Sequence, residues 1–117
     1  MNPNRLYTEK LLEAFKTRNQ RRFGLEVGRF STGLFITLKA LKKSGAEKAY
    51  KIAVPSFLCY SPLAAIHSAG WEPIFCDIEK NDGNSNKKNY LEVLKKNDVQ
   101  ALLFVHILGN IDRRAHV

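Results

Sequence analysis

No apolar run in this chain approaches the roughly 18 residues that a membrane-crossing helix requires, so no such span is expected. The opening Met1-Asn2-Pro3-Asn4-Arg5 lacks the hydrophobic core of a secretory leader, and the expectation is a soluble, cytoplasmic protein. Cysteine is scarce. Cys59 and Cys76 are the only two, they sit in apolar surroundings without CxxC spacing, and they read as buried free thiols that pack like small hydrophobes. His67, His106 and His116 do not stand at zinc-ligand spacing with either cysteine, so no metal site is expected. Absent too are a catalytic triad, a GxGxxG turn, a P-loop, internal repeats and low-complexity tracts. A length of 117 residues leaves room for one small domain or part of a larger one.

What is present begins with charge. The formal net charge of +8 divides unevenly: residues 1–51 hold 12 Lys/Arg against 4 Asp/Glu, and residues 52–117 hold 7 of each. The excess clusters around Arg18, Arg21, Arg22 and around Lys39, Lys42, Lys43. A solvated helix face accounts for it first, and attraction of a phosphate or nucleotide second. Nucleic acid ranks third, because no aromatic residues interleave the cluster to stack on bases.

Periodicity divides the chain into alternating elements. Tyr7, Leu11, Ala14 and Phe15 predict a helix over 5–20, with Asn4 as its cap; Gly24 and Gly28 then punctuate a loop. Leu34, Phe35, Leu38 and Leu41 form one apolar stripe and predict a helix from Thr32 to Lys43, with Ser31 and Thr32 at its start and Gly45 past its end. Lys51–Val54 reads as a strand stopped by Pro55. Ser61–Ala69 reads as a helix that tolerates Pro62 in its first turn and ends at Gly70. Trp71–Asp77 is the next strand, and residues 81–86 are a polar loop. Asn89–Lys96 is a helix with Tyr90, Val93 and Leu94 inward. Gln100–Val105 is a continuous apolar strand of the kind buried on both faces of a sheet, and Gly109-Asn110 turns the chain. Strand and helix in alternation imply an α/β fold with three parallel-type strands and crossover helices. The strand ends of such a sheet share one rim, where ligands bind.

Candidate chemistry gathers at that rim. The first N–H groups of a helix lack intrahelical partners and its dipole is positive there, so Ser31-Thr32-Gly33 suits a phosphate; simple N-capping by the two hydroxyls is the competing reading. Phe57, Cys59 and Tyr60 follow the first strand, where a planar cofactor could lie or where aromatics could belong to the core. Asp77 and His106 end the second and third strands. Turn capping explains the aspartate, and either a structural hydrogen bond or a catalytic base explains the histidine.

Taken together, RFSTGLFITLKAL, KIAVPSFLCYSPLAAIHSAGWEPIFCDIEKNDGNSN and VQALLFVHILGN resemble the N-terminal third of the DegT/DnrJ/EryC1/StrS aminotransferases, pyridoxal-phosphate-dependent sugar aminotransferases of fold type I. The resemblance covers residues 29–112. It is most specific from Pro55 to Asp77 and again at Val105-His106-x-x-Gly109-Asn110. It implies an N-terminal helical segment at 1–28 and, at 29–117, the N-terminal part of the pyridoxal-phosphate-binding large domain, cut short. By the same resemblance Ser31 and Thr32 hold the phosphate of pyridoxal 5'-phosphate. Cys59 falls where most members place an aromatic over the pyridine ring and some place a cysteine. Phe30 stands where glycine is usual and Gly33 where alanine is usual. The family's acidic partner for the pyridine nitrogen and its anchoring lysine lie beyond the Gly-Asn turn, and none of the twelve lysines here matches that position. One branch of the family replaces the lysine by histidine and dehydrates sugars. The full-length partners implied are a nucleotide-sugar substrate, an amino donor such as glutamate, and a second subunit of a homodimer. The alternatives from other classes are a non-catalytic α/β module that binds phosphate or nucleotide, and a basic nucleic-acid-binding domain.

Three strands with their helices leave an unpaired sheet edge and an uncovered face. The 117 residues alone should therefore unfold in urea with a stability below about 5 kcal/mol, and a reversible two-state transition well above that value would contradict the reading of a partial domain.

Overall fold

Ile52, Ala53, Val54 and Pro55 are four consecutive buried residues, which suits a strand with neighbours on both edges and cover on both faces. The computed structural model describes residues 3–42 and 50–110, and shows that environment. In chain order it has α1 (Pro3–Arg18), α2 (Phe30–Leu41), β1 (Tyr50–Pro55), α3 (Tyr60–Ser68), β2 (Trp71–Cys76), α4 (Lys87–Lys96) and β3 (Ala101–Leu102), followed by a 3-10 turn at Ile107–Gly109. The sheet order is β2-β1-β3 and both pairings are parallel. This is the expected α/β arrangement, consistent with part of a fold type I large domain.

Alternation along β1 sorts the core into two layers. Ile52 and Val54 join Leu38 of α2, Ile66 of α3, Ala69 and Trp71 on one face. Ala53 points the other way, to Cys76 and to Tyr90 of α4. Trp71 fastens the first layer: its indole Nε1–H donates to the Leu38 carbonyl at 3.0 Å, and Tyr50 meets its ring edge-on at 5.1 Å between centroids. Tyr90 fastens the second, its hydroxyl donating to the Leu103 carbonyl at 2.8 Å. Gly70 ends α3 with φ +77, a left-handed conformation that glycine adopts without strain. Asn86 caps α4 by accepting from the Asn89 N–H.

Several expectations change. Pro3 already lies in α1, so Asn4 falls inside the helix and does not cap it. The Tyr7, Leu11, Phe15 stripe of α1 is exposed, because this helix meets the returning segment near Gly24 and not the sheet; a Cβ on Gly24 would meet Leu12 Cδ1 at 2.8 Å. Leu41 and Leu94 are also exposed. β3 is two residues long where six were expected, and Leu102 and Phe104 are exposed: β1 pairs with one edge of it, and no described strand lies on the other. Cys59 is exposed, and only Cys76 is a buried thiol. Lys43, Gly45 and His116 lie outside the described residues.

Burial, and secondarily the neighbouring Asp77 carboxylate, push the Cys76 thiol up to about 11. Burial, reinforced by Cys76, raises the Tyr90 phenol as well. The unfolded Cys76 thiol releases its proton near 9.0, while the folded one keeps it to about 11. Within that window the native state holds more protons than the unfolded state, so stability falls as pH rises. The urea midpoint should be flat up to pH 9 and should drop between pH 9 and 11, with a shallower drop in Cys76→Ala. Iodoacetamide at neutral pH should alkylate Cys59 in the native protein and reach Cys76 only after unfolding.

Candidate functional site

β1 and β2 end level, with Pro55 opposite Cys76, and β3 makes its last pairing two residues earlier, Leu102 opposite Ala53; because all three run parallel, the segments that follow them leave at the C-terminal rim of the sheet. Two helices begin there or beside it. α3 starts directly after the β1 loop, with Cys59 in extended conformation as its N-cap. α2 starts after Arg29, also extended. Neither N-cap side chain makes a capping hydrogen bond, and neither first turn holds an acidic residue. The capping reading of Ser31 and Thr32 therefore fails: both lie inside the first turn, after Phe30. The earliest intrahelical bond of α2 runs from the Gly33 N–H to the Arg29 carbonyl at 3.2 Å, which leaves the Phe30, Ser31 and Thr32 amides without intrahelical acceptors.

The two starts converge. Ser31, Thr32 and Phe35 of α2 face Tyr60, Ser61 and Ala64 of α3 across an open groove of about 380 Å³. On the α3 side the groove continues along the small residues Ala64, Ala65 and Ser68. Two positive dipole ends thus meet, with the hydroxyls of Ser31, Thr32 and Ser61 between them and Arg29 adding a cation beside the first turn. Unpaired amides, hydroxyls and the lack of a nearby first-turn carboxylate make a donor set that fits a phosphate dianion. At Gly33 a Cβ would meet Val27 Cγ2 at 3.1 Å, so the missing side chain lets the preceding segment pass close to the helix.

Of the residues singled out from sequence, Ser31 and Thr32 come together in this groove. Cys59 is exposed at the α3 N-cap, next to Tyr60, and does not line it. Phe57 is turned along the rim toward the loop after β2, its Cδ1 3.2 Å from where a Cβ on Gly83 would stand. Ile107 touches the same point at 3.9 Å, so His106 is brought to the rim beside the Phe57 loop but not into the groove. Asp77 lies apart, in a depression of about 270 Å³ with Asn89 and Lys96. A hollow of about 540 Å³ lies elsewhere again, between α1 and residues 23–27; it is mainly apolar and brings no helix N-terminus to bear on a ligand.

Two rim residues escaped the sequence reading. Ser61 stands in the first turn of α3 and could have been found from the Ser-Pro pair at that predicted helix start. Asn84, inside what read as a generic polar loop, is buried and bonded into two loops; nothing in its spacing announces that.

Among the described residues no helix is long and apolar enough to cross a membrane, and no group of three or more His, Cys, Asp or Glu could hold a metal ion. No curated protein matches the chain. One family profile matches residues 6–114, from the first turns of α1 to beyond the 3-10 turn, and on that extent the chain belongs to the DegT/DnrJ/EryC1/StrS aminotransferase family.

Proposed function

We propose that this chain is the N-terminal part of a pyridoxal-phosphate-dependent aminotransferase of amino-sugar biosynthesis. Its groove at the sheet rim receives the phosphate of pyridoxal 5'-phosphate. The convergence of two uncapped helix N-termini carries the reading, because it concentrates unpaired amides and hydroxyls in one groove beside the sheet rim. Ser31 and Thr32 hold the phosphate with the free amides of α2, and Ser61 adds a hydroxyl from α3. Cys59 lies beside the ring, a thiol contact weaker than aromatic stacking. When bound, the cofactor supplies an electron sink for moving an amino group from an amino donor to a keto sugar.

Charge supports a keto-sugar nucleotide as the substrate class. A keto-sugar nucleotide is anionic, and the excess of Lys and Arg in residues 1–51 attracts it. The segment 1–28 precedes a cofactor-binding part at 29–117, the protein works in the cytoplasm, and the full-length enzyme is a homodimer. None of the twelve lysines stands at the family's anchoring position, so these residues alone hold the cofactor without a covalent bond and do not transaminate.

Fluorescence titration tests this. The chain should bind pyridoxal 5'-phosphate more tightly than pyridoxal, which lacks the phosphate, and inorganic phosphate should compete. The double variant Ser31→Ala, Thr32→Val should weaken pyridoxal 5'-phosphate binding by roughly ten- to a hundredfold, the equivalent of one or two charged hydrogen bonds, and should leave pyridoxal binding unchanged. Equal affinity for the two compounds would remove the phosphate site. Salt-sensitive binding to DNA without cofactor binding would favour a nucleic-acid role instead.

A further inference from the structure

Asn84 is 1% exposed, a polar side chain buried in a rim loop. Its amide accepts and donates across the gap to the segment after β3. The Ile107 N–H donates to Asn84 Oδ1 at 3.0 Å, and Asn84 Nδ2 donates to the Asn110 carbonyl at 3.1 Å. Within its own loop Asn84 is equally fixed: its N–H donates to Asp82 Oδ1 at 2.9 Å, and its carbonyl accepts from the Glu79 N–H at 2.9 Å. One side chain therefore binds the loop after β2 to the loop after β3. The loop after β1 closes against both, since Phe57 packs where Gly83 has no side chain and Ile107 lies alongside. The clamped segment holds strained backbone: Leu108 is non-glycine at φ +54 and fully exposed, a conformation that persists only when its surroundings impose it.

We propose that Asn84 is a positioning residue for the ring side of the groove. By clamping Ile107 and Asn110 it seats Phe57, and through Phe57 it holds the Cys59-Tyr60 start of α3 in place. This inference rests on the reading of the groove as a pyridoxal-phosphate site. Asn84 lines neither the groove nor its Ser31 and Thr32 side, so it acts only through the start of α3, which carries the ring contact and the Ser61 hydroxyl, and not on the amides of α2.

The test uses the full 117-residue chain with two probes, pyridoxal 5'-phosphate and inorganic phosphate, and with amide hydrogen exchange on the free protein. Asn84→Ala should speed exchange at Ala64 and Ala65, amides paired within the first turns of α3, about tenfold, as expected when a buried hydrogen-bonded clamp is released. It should weaken pyridoxal 5'-phosphate binding by a similar factor and inorganic phosphate binding by clearly less, because Ser31, Thr32 and the α2 amides stay in place. Asn84→Asp keeps the acceptor for Ile107 and loses the donor to Asn110, so it should give a smaller change of the same kind; if the alanine variant does not fold, this one decides. Unchanged exchange at Ala64 and Ala65, or equal loss of both probes, would overturn the positioning role. Failure of the wild-type chain to bind either probe would reject the cofactor reading, while the exchange measurement would still judge the clamp.

Discussion

Six residues of β1 pair in parallel with six of β2, from Tyr50 opposite Trp71 to Pro55 opposite Cys76, and β3 adds two more pairings on the other edge. The placement of α2, α3, α4 and the rim depends on this central strand. Its alternating side chains divide the apolar residues between the α2/α3 layer and the α4 layer. A slip of one residue would exchange Ile52 and Val54 for Ala53 and empty the larger layer. Because all pairings are parallel, the same register also brings three strand ends to one rim. The fold and the site thus share one constraint.

The electrostatics of the rim come from backbone more than from side chains. Arg29 and Cys59 leave the starts of α2 and α3 without side-chain caps, a local cost to helix stability of about 1 kcal/mol each by comparison with a capping residue. That cost is intelligible if the free amides are kept for an anion. The α3 side of the groove is lined by small residues from Ser61 through Ala64 and Ala65 to Ser68, so side chains leave the space between the helices open.

Away from the sheet the apolar residues have no common core. α1 presents Tyr7, Leu11 and Phe15 to solvent, and Phe23 and Leu25 beside it are also exposed. Leu102 of β3, and Phe104 just beyond it, are exposed at a sheet edge without a described neighbouring strand. These residues obey helix and strand periodicity as closely as the buried ones do. Their periodicity identifies an apolar face, and it carries no information about what covers that face.

Strong local signals made much of the architecture legible from sequence. The β-branched and apolar run at Lys51–Val54, the Gly70 stop and the stripe around Leu38 each identify an element through backbone preference or period, and alternation of elements implied the parallel sheet. The Ser31-Thr32 pair at a predicted helix start pointed to an anion site for the same reason, since helix N-termini are electropositive whatever surrounds them. Three things required the tertiary structure. The convergence of the α2 and α3 starts joins residues some thirty positions apart, and only the packing of both helices on one sheet face produces it. The burial of Asn84 depends on three loops meeting, so its composition alone reads as solvent-facing turn. The exposure of Cys59 beside the burial of Cys76 follows from where the chain leaves each strand, because a thiol packs as a hydrophobe only when a neighbouring element covers it.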